Sequence, residues 1–118
     1  KVFFDKWAIV GADIGASTAI LTADAIKYKP QTIVMLSPVV KTKGLYIPVK
    51  LANLDNIDIL SISGTNDTTG YNAEVYLKKF AQATFATYTS TARSNGMMMI
   101  KNDTTLSKII SGWLKEYL

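Results

Sequence analysis

The chain has 118 residues, a net charge of +4, 48% apolar residues and neither cysteine nor histidine, which bounds it to one domain, residues 1–118, with a modest core. No apolar run reaches the roughly 18 to 20 residues of a membrane span, and cysteine-free composition excludes disulfides, thiolate nucleophiles and cysteine metal sites. The positive charge is spread over Lys27, Lys29, Lys41, Lys43, Lys50, Lys78, Lys79 and Lys101 rather than gathered beside aromatics, so nucleic acid is not an expected partner.

The chain opens Lys1-Val2-Phe3-Phe4 without an initiator Met or a signal-peptide pattern, which reads as a processed or excerpted N-terminus. "WAIVGA" is a continuous apolar run of the kind expected for a strand covered on both faces. Past the turn, Ala16, Ala19, Ile20, Ala23 and Ile26 recur at helical spacing, and the helix ends before Pro30. "TIVMLSP" predicts a second buried strand. From Val39 to Leu54, Pro38, Gly44 and Pro48 interrupt any period, which predicts a long connection with a short helix near Val49 to Asn53.

"IDILSIS" predicts the third strand, closed by the turn-rich "GTNDTTGYN". A helix follows over 72–82, with Ala73, Tyr76, Leu77 and Phe80 on one face. "TFATYTS" predicts a fourth strand nearer the sheet edge. In the last helix Leu106, Ile109, Ile110, Trp113, Leu114, Tyr117 and Leu118 form an amphipathic face, with Asn102 or Asp103 placed to cap it. The order β-α-β-loop-β-α-β-α predicts an α/β fold with a parallel sheet of about four strands and helices on both faces. Ligand chemistry in such sheets gathers at the carboxyl ends of the strands, here at 11–15, 37–41, 64–71 and 91–98.

The glycine turn "GADIG" has two mechanistic readings. As a dinucleotide-binding G-x-G-x-x-G it fails, because Asp13 and Ala16 stand at the second and third glycine positions and a carboxylate would meet the phosphates. As a nucleophile elbow G-x-S-x-G it fits at every position but the centre, where Asp13 replaces serine.

Here the chain resembles the α/β-hydrolase family, specifically its C-terminal half. "IVGADIGASTAIL" is similar to the elbow and its helix. "TIVMLSPVV" resembles the next strand, "IDILSISGTNDTTG" the strand and loop bearing the acid of the triad, and "TARSNGMMMI" the loop that normally reads His-Gly. The resemblance implies Asp13 at the nucleophile position, Asp67 at the acid position, Asn95 at the histidine position, and the Ile14 backbone N–H as an oxyanion donor. It also implies that the strands supplying a second oxyanion donor are missing from this chain.

Carboxylates do act as nucleophiles, and dehalogenase-like and epoxide-hydrolase-like members of the family use an aspartate there. Their ester intermediate needs a base-activated water, and an asparagine amide has no usable pKa near neutrality. The expected function is therefore a non-catalytic, pseudoenzyme-like domain kept for binding or assembly, without cofactor or metal. The alternatives are an ester hydrolase completed by another chain and a small-molecule binding module using the space above Asp13. Local readings stand beside these. Asp13 is tolerated in left-handed backbone, Asp67 is an ordinary turn residue, and Met97 to Met99 pack as they enter a helix. The apolar run Trp7 to Val10 is expected to present an unpaired strand edge, covered by a complementary N-terminal chain or by a second copy.

Overall fold

The structure, a computed structural model, describes residues 6–42, 45–94 and 96–118. In chain order its elements are β1 (Ala8–Ala12), α1 (Ile14–Ala25), β2 (Thr32–Leu36), β3 (Lys41–Thr42), β4 (Leu45–Tyr46), α2 (Ile47–Leu51), β5 (Asp58–Gly64), α3 (Thr68–Lys78), β6 (Phe85–Ser90), α4 (Met98–Asn102) and α5 (Leu106–Tyr117). Strands β1, β2, β5 and β6 form an all-parallel sheet in that spatial order. The register runs Val10 to Val34 to Leu60 to Ala86 across it.

Because the strands are laid down sequentially, every crossover steps the same way, and right-handed connections place their helices on one face. Ala16, Ala19, Ile20 and Ala23 of α1, Ile47 and Leu51 of α2 and Leu77 of α3 accordingly share one core with Ile33, Met35, Ile59 and Phe85. Among the described residues no strand follows β6, and the chain passes to the other face. There Met99 of α4 and Leu106 and Ile110 of α5 pack with Val34, Leu36, Leu60 and Ile62. The strand alternation of period two is what divides β2 and β5 between the two cores. Trp113 fastens α5 to the sheet, donating its indole N–H to Thr32 Oγ1 at 2.7 Å.

Four boundaries differ from the sequence expectation. The first strand is not covered on both faces along its length: β1 lies at the sheet edge and Val10 is 46% exposed, while Ala12 packs against the core on the α5 side. The third helix begins at Thr68 and ends at Lys78 rather than covering 72–82, since Asp67 caps it; Ala73 and Leu77 are buried but Tyr76 is exposed. The connection between β2 and β5 holds a short antiparallel pair, β3 with β4, and its helix is Ile47–Leu51, started by Pro48 in the first turn. The terminal helix starts at Leu106 with Thr105 at its N-cap position and no side-chain cap hydrogen bond, so neither Asn102 nor Asp103 caps it; Asp103 lies two residues before Thr105 and accepts the Thr105 N–H at 3.1 Å.

Candidate functional site

The carboxyl ends of the four parallel strands carry the candidate residues, as the sheet geometry requires. Asp13 follows β1, Ser37 follows β2, Asp67 follows β5 and Gly96 lies beyond β6. Asp13 has φ 55° and ψ −119°. This is not the left-handed helical well, whose ψ is near +47°, so tolerance of that well by aspartate does not account for the residue. These are the angles of the first central position of a type II′ turn, a conformation that glycine normally occupies. Strain of this kind in a non-glycine residue persists only where surrounding structure enforces it. The enforcement is visible: the Asp13 N–H donates to Leu36 O at 2.8 Å, and Gly11 packs so close to the Gly15 carbonyl that any side chain would overlap it.

Asp13 stands at the N-cap of α1, yet its carboxylate makes no capping hydrogen bond. It lies instead against Gly96, where an added Cβ would collide with it. Gly96 has φ 61° and donates its N–H to the buried Ser37 hydroxyl at 2.8 Å. Ser37 itself has φ 56°, and its N–H donates to Ile62 O at 2.8 Å. Two strained residues at the ends of adjacent strands are thus joined through one glycine of the loop after β6. Sequence reading placed 37–41 at the strand ends but gave Ser37 no role; its backbone has no local signature.

Ile14 opens α1 with its side chain 59% exposed, and its N–H belongs to the first turn, where the helical ladder supplies no acceptor. Asp67 has a structural duty: its Oδ1 accepts the Gly70 N–H at 2.9 Å and caps α3. Its other oxygen, Oδ2, is buried and has no hydrogen-bond partner among the described residues. Asn95 lies outside the described residues. Asp13 and Asp67 are therefore on the same end of the sheet, with β2 between their strands, and Asp13 meets the loop after β6 at Gly96. That loop also crosses the end of β5, where Thr65 N–H donates to Ala92 O at 3.0 Å and Thr65 Oγ1 to Ser90 O at 2.7 Å. Met99 is buried beneath the loop, while Met97 and Met98 are exposed.

Two further carboxylates matter at the site: Asp103, read from the sequence only as a candidate helix cap, and Glu74, to which sequence reading assigned no role. Asp103 accepts the Ser90 hydroxyl at 2.7 Å and the Thr105 hydroxyl at 2.7 Å. These bonds, Ser90 first, hold its pKa below the usual carboxylate range. Glu74 of α3 is 1% exposed. Burial pushes its pKa up to about 7, opposed by the Ser61 and Ser63 hydroxyls and reinforced by the charge of Asp67. Among the described residues no group of three or more aspartates and glutamates is placed to hold a metal ion, and no helix is long and apolar enough to cross a membrane. A scan against family models matches none to this chain, and a search of curated proteins finds no similar sequence.

Proposed function

We infer that the chain is a non-catalytic α/β-hydrolase-like domain that works by binding or assembly. The observation that carries this reading is the state of Asp13: it holds the strained backbone of an elbow residue, while its carboxylate is neither a helix cap nor partnered by a base. The chain contains no histidine, and the Asp67 carboxylate is partly committed to capping α3. The order of the candidate positions along the sheet supports the relationship, with the elbow after the first strand, the acid after the third and the Asn-Gly loop after the fourth. Packing of the terminal helix on the opposite face from the other long helices agrees with it as well.

Incubating the protein with an activated ester and with a haloalkane, followed by peptide mass spectrometry, tests the reading. No adduct and no turnover are expected. A stable ester on Asp13 would replace it with the alternative of a hydrolase completed by a second chain. Thermal shift against an acyl-ligand panel, with Asp13→Ala as control, tests binding above the elbow.

Assembly is favoured by the edge of the sheet. Among the described residues β1 pairs with β2 alone, Val10 is exposed, and Trp7, Ile26, Lys27 and Tyr28 line an open, largely apolar groove of about 510 Å³ beside it. A side chain added at Gly15 would meet no described atom within 4 Å, which leaves room for a closely approaching neighbour. An unpaired apolar edge recruits another strand, from a second copy or a complementary chain. Light scattering should give a species heavier than the monomer, and Val10→Lys should return it to monomer. A monomeric wild type with freely exchanging amides over 8–12 would remove the assembly reading and leave ligand binding standing.

A further inference from the structure

Four buried side-chain oxygens lack a hydrogen-bond partner among the described residues: Ser61 Oγ, Ser63 Oγ, Asp67 Oδ2 and Glu74 Oε1. All four belong to one corner, where β5 turns into α3. Buried polar groups are ordinarily satisfied, so their concentration in one place points to a group whose bonding is meant to change. The sequence explains the juxtaposition. Ile59 faces the core of α1, α2 and α3, and alternation along β5 turns Ser61 and Ser63 to that same face. Ala73 and Leu77 bury the inner side of α3, and Glu74, between them in helical position, is carried in with them.

We propose that Glu74, with Ser61, Ser63 and Asp67, is a proton-operated latch on the β5–α3 corner. With Glu74 protonated, its carboxyl O–H donates to a serine hydroxyl and the corner is closed. Ionised, it can only accept; the Ser61 and Ser63 hydroxyls offset part of the cost, but a full charge then stands buried beside a second carboxylate. Relief comes from opening the first turns of α3, which carry the Asp67 cap and the loop at the carboxyl end of the sheet. The pKa of Glu74, about 7 in the folded state, puts the change in the neutral range.

The other charged groups around the corner do not supply a counter-charge. Asp58 lies at the far end of β5 and accepts the Thr84 N–H at 3.1 Å. Lys50 of α2 pairs with Asp24 of α1 at 3.6 Å, Tyr46 and Tyr76 hydrogen-bond to one another, and Lys78 on the same helix is exposed. Asp67 is the charged neighbour that acts on Glu74, and its sign pushes in the same direction as burial.

Hydrogen exchange of the whole chain reads the latch through the Gly70 and Tyr71 amides, bonded at 2.9 Å to Asp67 Oδ1 and Asp67 O. After correction for intrinsic exchange, their protection should fall on the order of tens-fold between pH 5 and pH 8, with most of the fall below pH 7. In Glu74→Gln the protection should be nearly independent of pH. In Asp67→Asn, which removes the like charge, the fall should be complete at lower pH. Flat protection in the wild type, or an unchanged pH profile in Glu74→Gln, would overturn the proposal. If Glu74→Gln does not fold, carbon-detected titration of the Glu74 carboxyl in the wild type decides instead. Protection at Gly70 and Tyr71 that falls with pH and levels off near that midpoint supports the latch, and protection that does not follow it ends it. The test makes no use of a ligand or of turnover, so it stands apart from the functional reading.

Discussion

The Asp13 carboxylate rests against the α-carbon of Gly96, joining the turn after β1 to the loop after β6 across the carboxyl end of the sheet. Both residues have positive φ, so the contact ties together two conformations that side chains rarely adopt. Gly96→Ala should be destabilised by about 1 to 3 kcal/mol, from strain at φ 61° and from collision with the carboxylate. Asp13→Ala combined with Gly96→Ala should recover part of the loss, because the collision disappears while the strain remains. A double-mutant cycle in urea measures this coupling; strict additivity would mean that the two residues do not interact.

Asp67→Ala should cost about 1 kcal/mol through loss of the α3 cap. Asp67→Asn, whose side-chain oxygen still accepts the Gly70 N–H, should cost less. Removing the charge should also lower the Glu74 pKa, since Asp67 raises it. Thermal melts at pH 5 and pH 8 separate the two effects.

Glu74 sets a pH dependence of global stability whose sign follows from its raised pKa. The folded state holds the proton up to about pH 7 and the unfolded state releases it near 4.5, so stability declines as pH rises from 4.5 to 7 and then levels off. The upper bound is about 3 kcal/mol, reduced by solvent screening. Urea midpoints of Glu74→Gln should converge with the wild type at low pH and exceed it above pH 7. An equal pH slope in both proteins would contradict this.

Asp103 acts in the opposite sense. Its lowered pKa, caused first by the Ser90 hydroxyl and then by Thr105, contributes stability above the unfolded carboxylate pKa, and this is lost as pH falls through the lower folded value. Asp103→Asn and Ser90→Ala should both flatten that acid-side decline, and both should loosen the junction between β6 and α5. Acid titration followed by Trp113 fluorescence reports it, because Trp113 anchors α5 to Thr32.

Trp113→Phe keeps the ring but removes the bond to Thr32 Oγ1. The expected loss is about 1 kcal/mol, checked by urea denaturation followed by circular dichroism. A much larger loss would mean that α5 packs chiefly through the indole rather than through Leu106 and Ile110.

The alternation of apolar runs with helical spacing was enough to read the order of the four parallel strands and the three longer helices and the parallel α/β class, but not the β3–β4 pair or α4, because burial on two faces selects the longer patterns locally. "TFATYTS" likewise read as a strand near the edge, and β6 is one. What local patterning does not encode is which side of an element finds a neighbour. "WAIVGA" carries the composition of a covered strand, yet Val10 is 46% exposed at the sheet edge, while Ala12 packs against the core on the α5 side. Asp13 could be placed at the tip of a turn from its glycines, but its ψ of −119° arises from packing between Gly11 and Gly15 and from the bond to Leu36. Ser37 and Glu74 gain their character only from partners 59 residues away in the first case and across the strand-to-helix turn in the second. The chain's own order of residues thus determined its parallel strands, its longer helices and the carboxylate at the turn after β1, while strain, burial and proton affinity were decided by tertiary contact, since each depends on atoms that sequence spacing alone does not bring together.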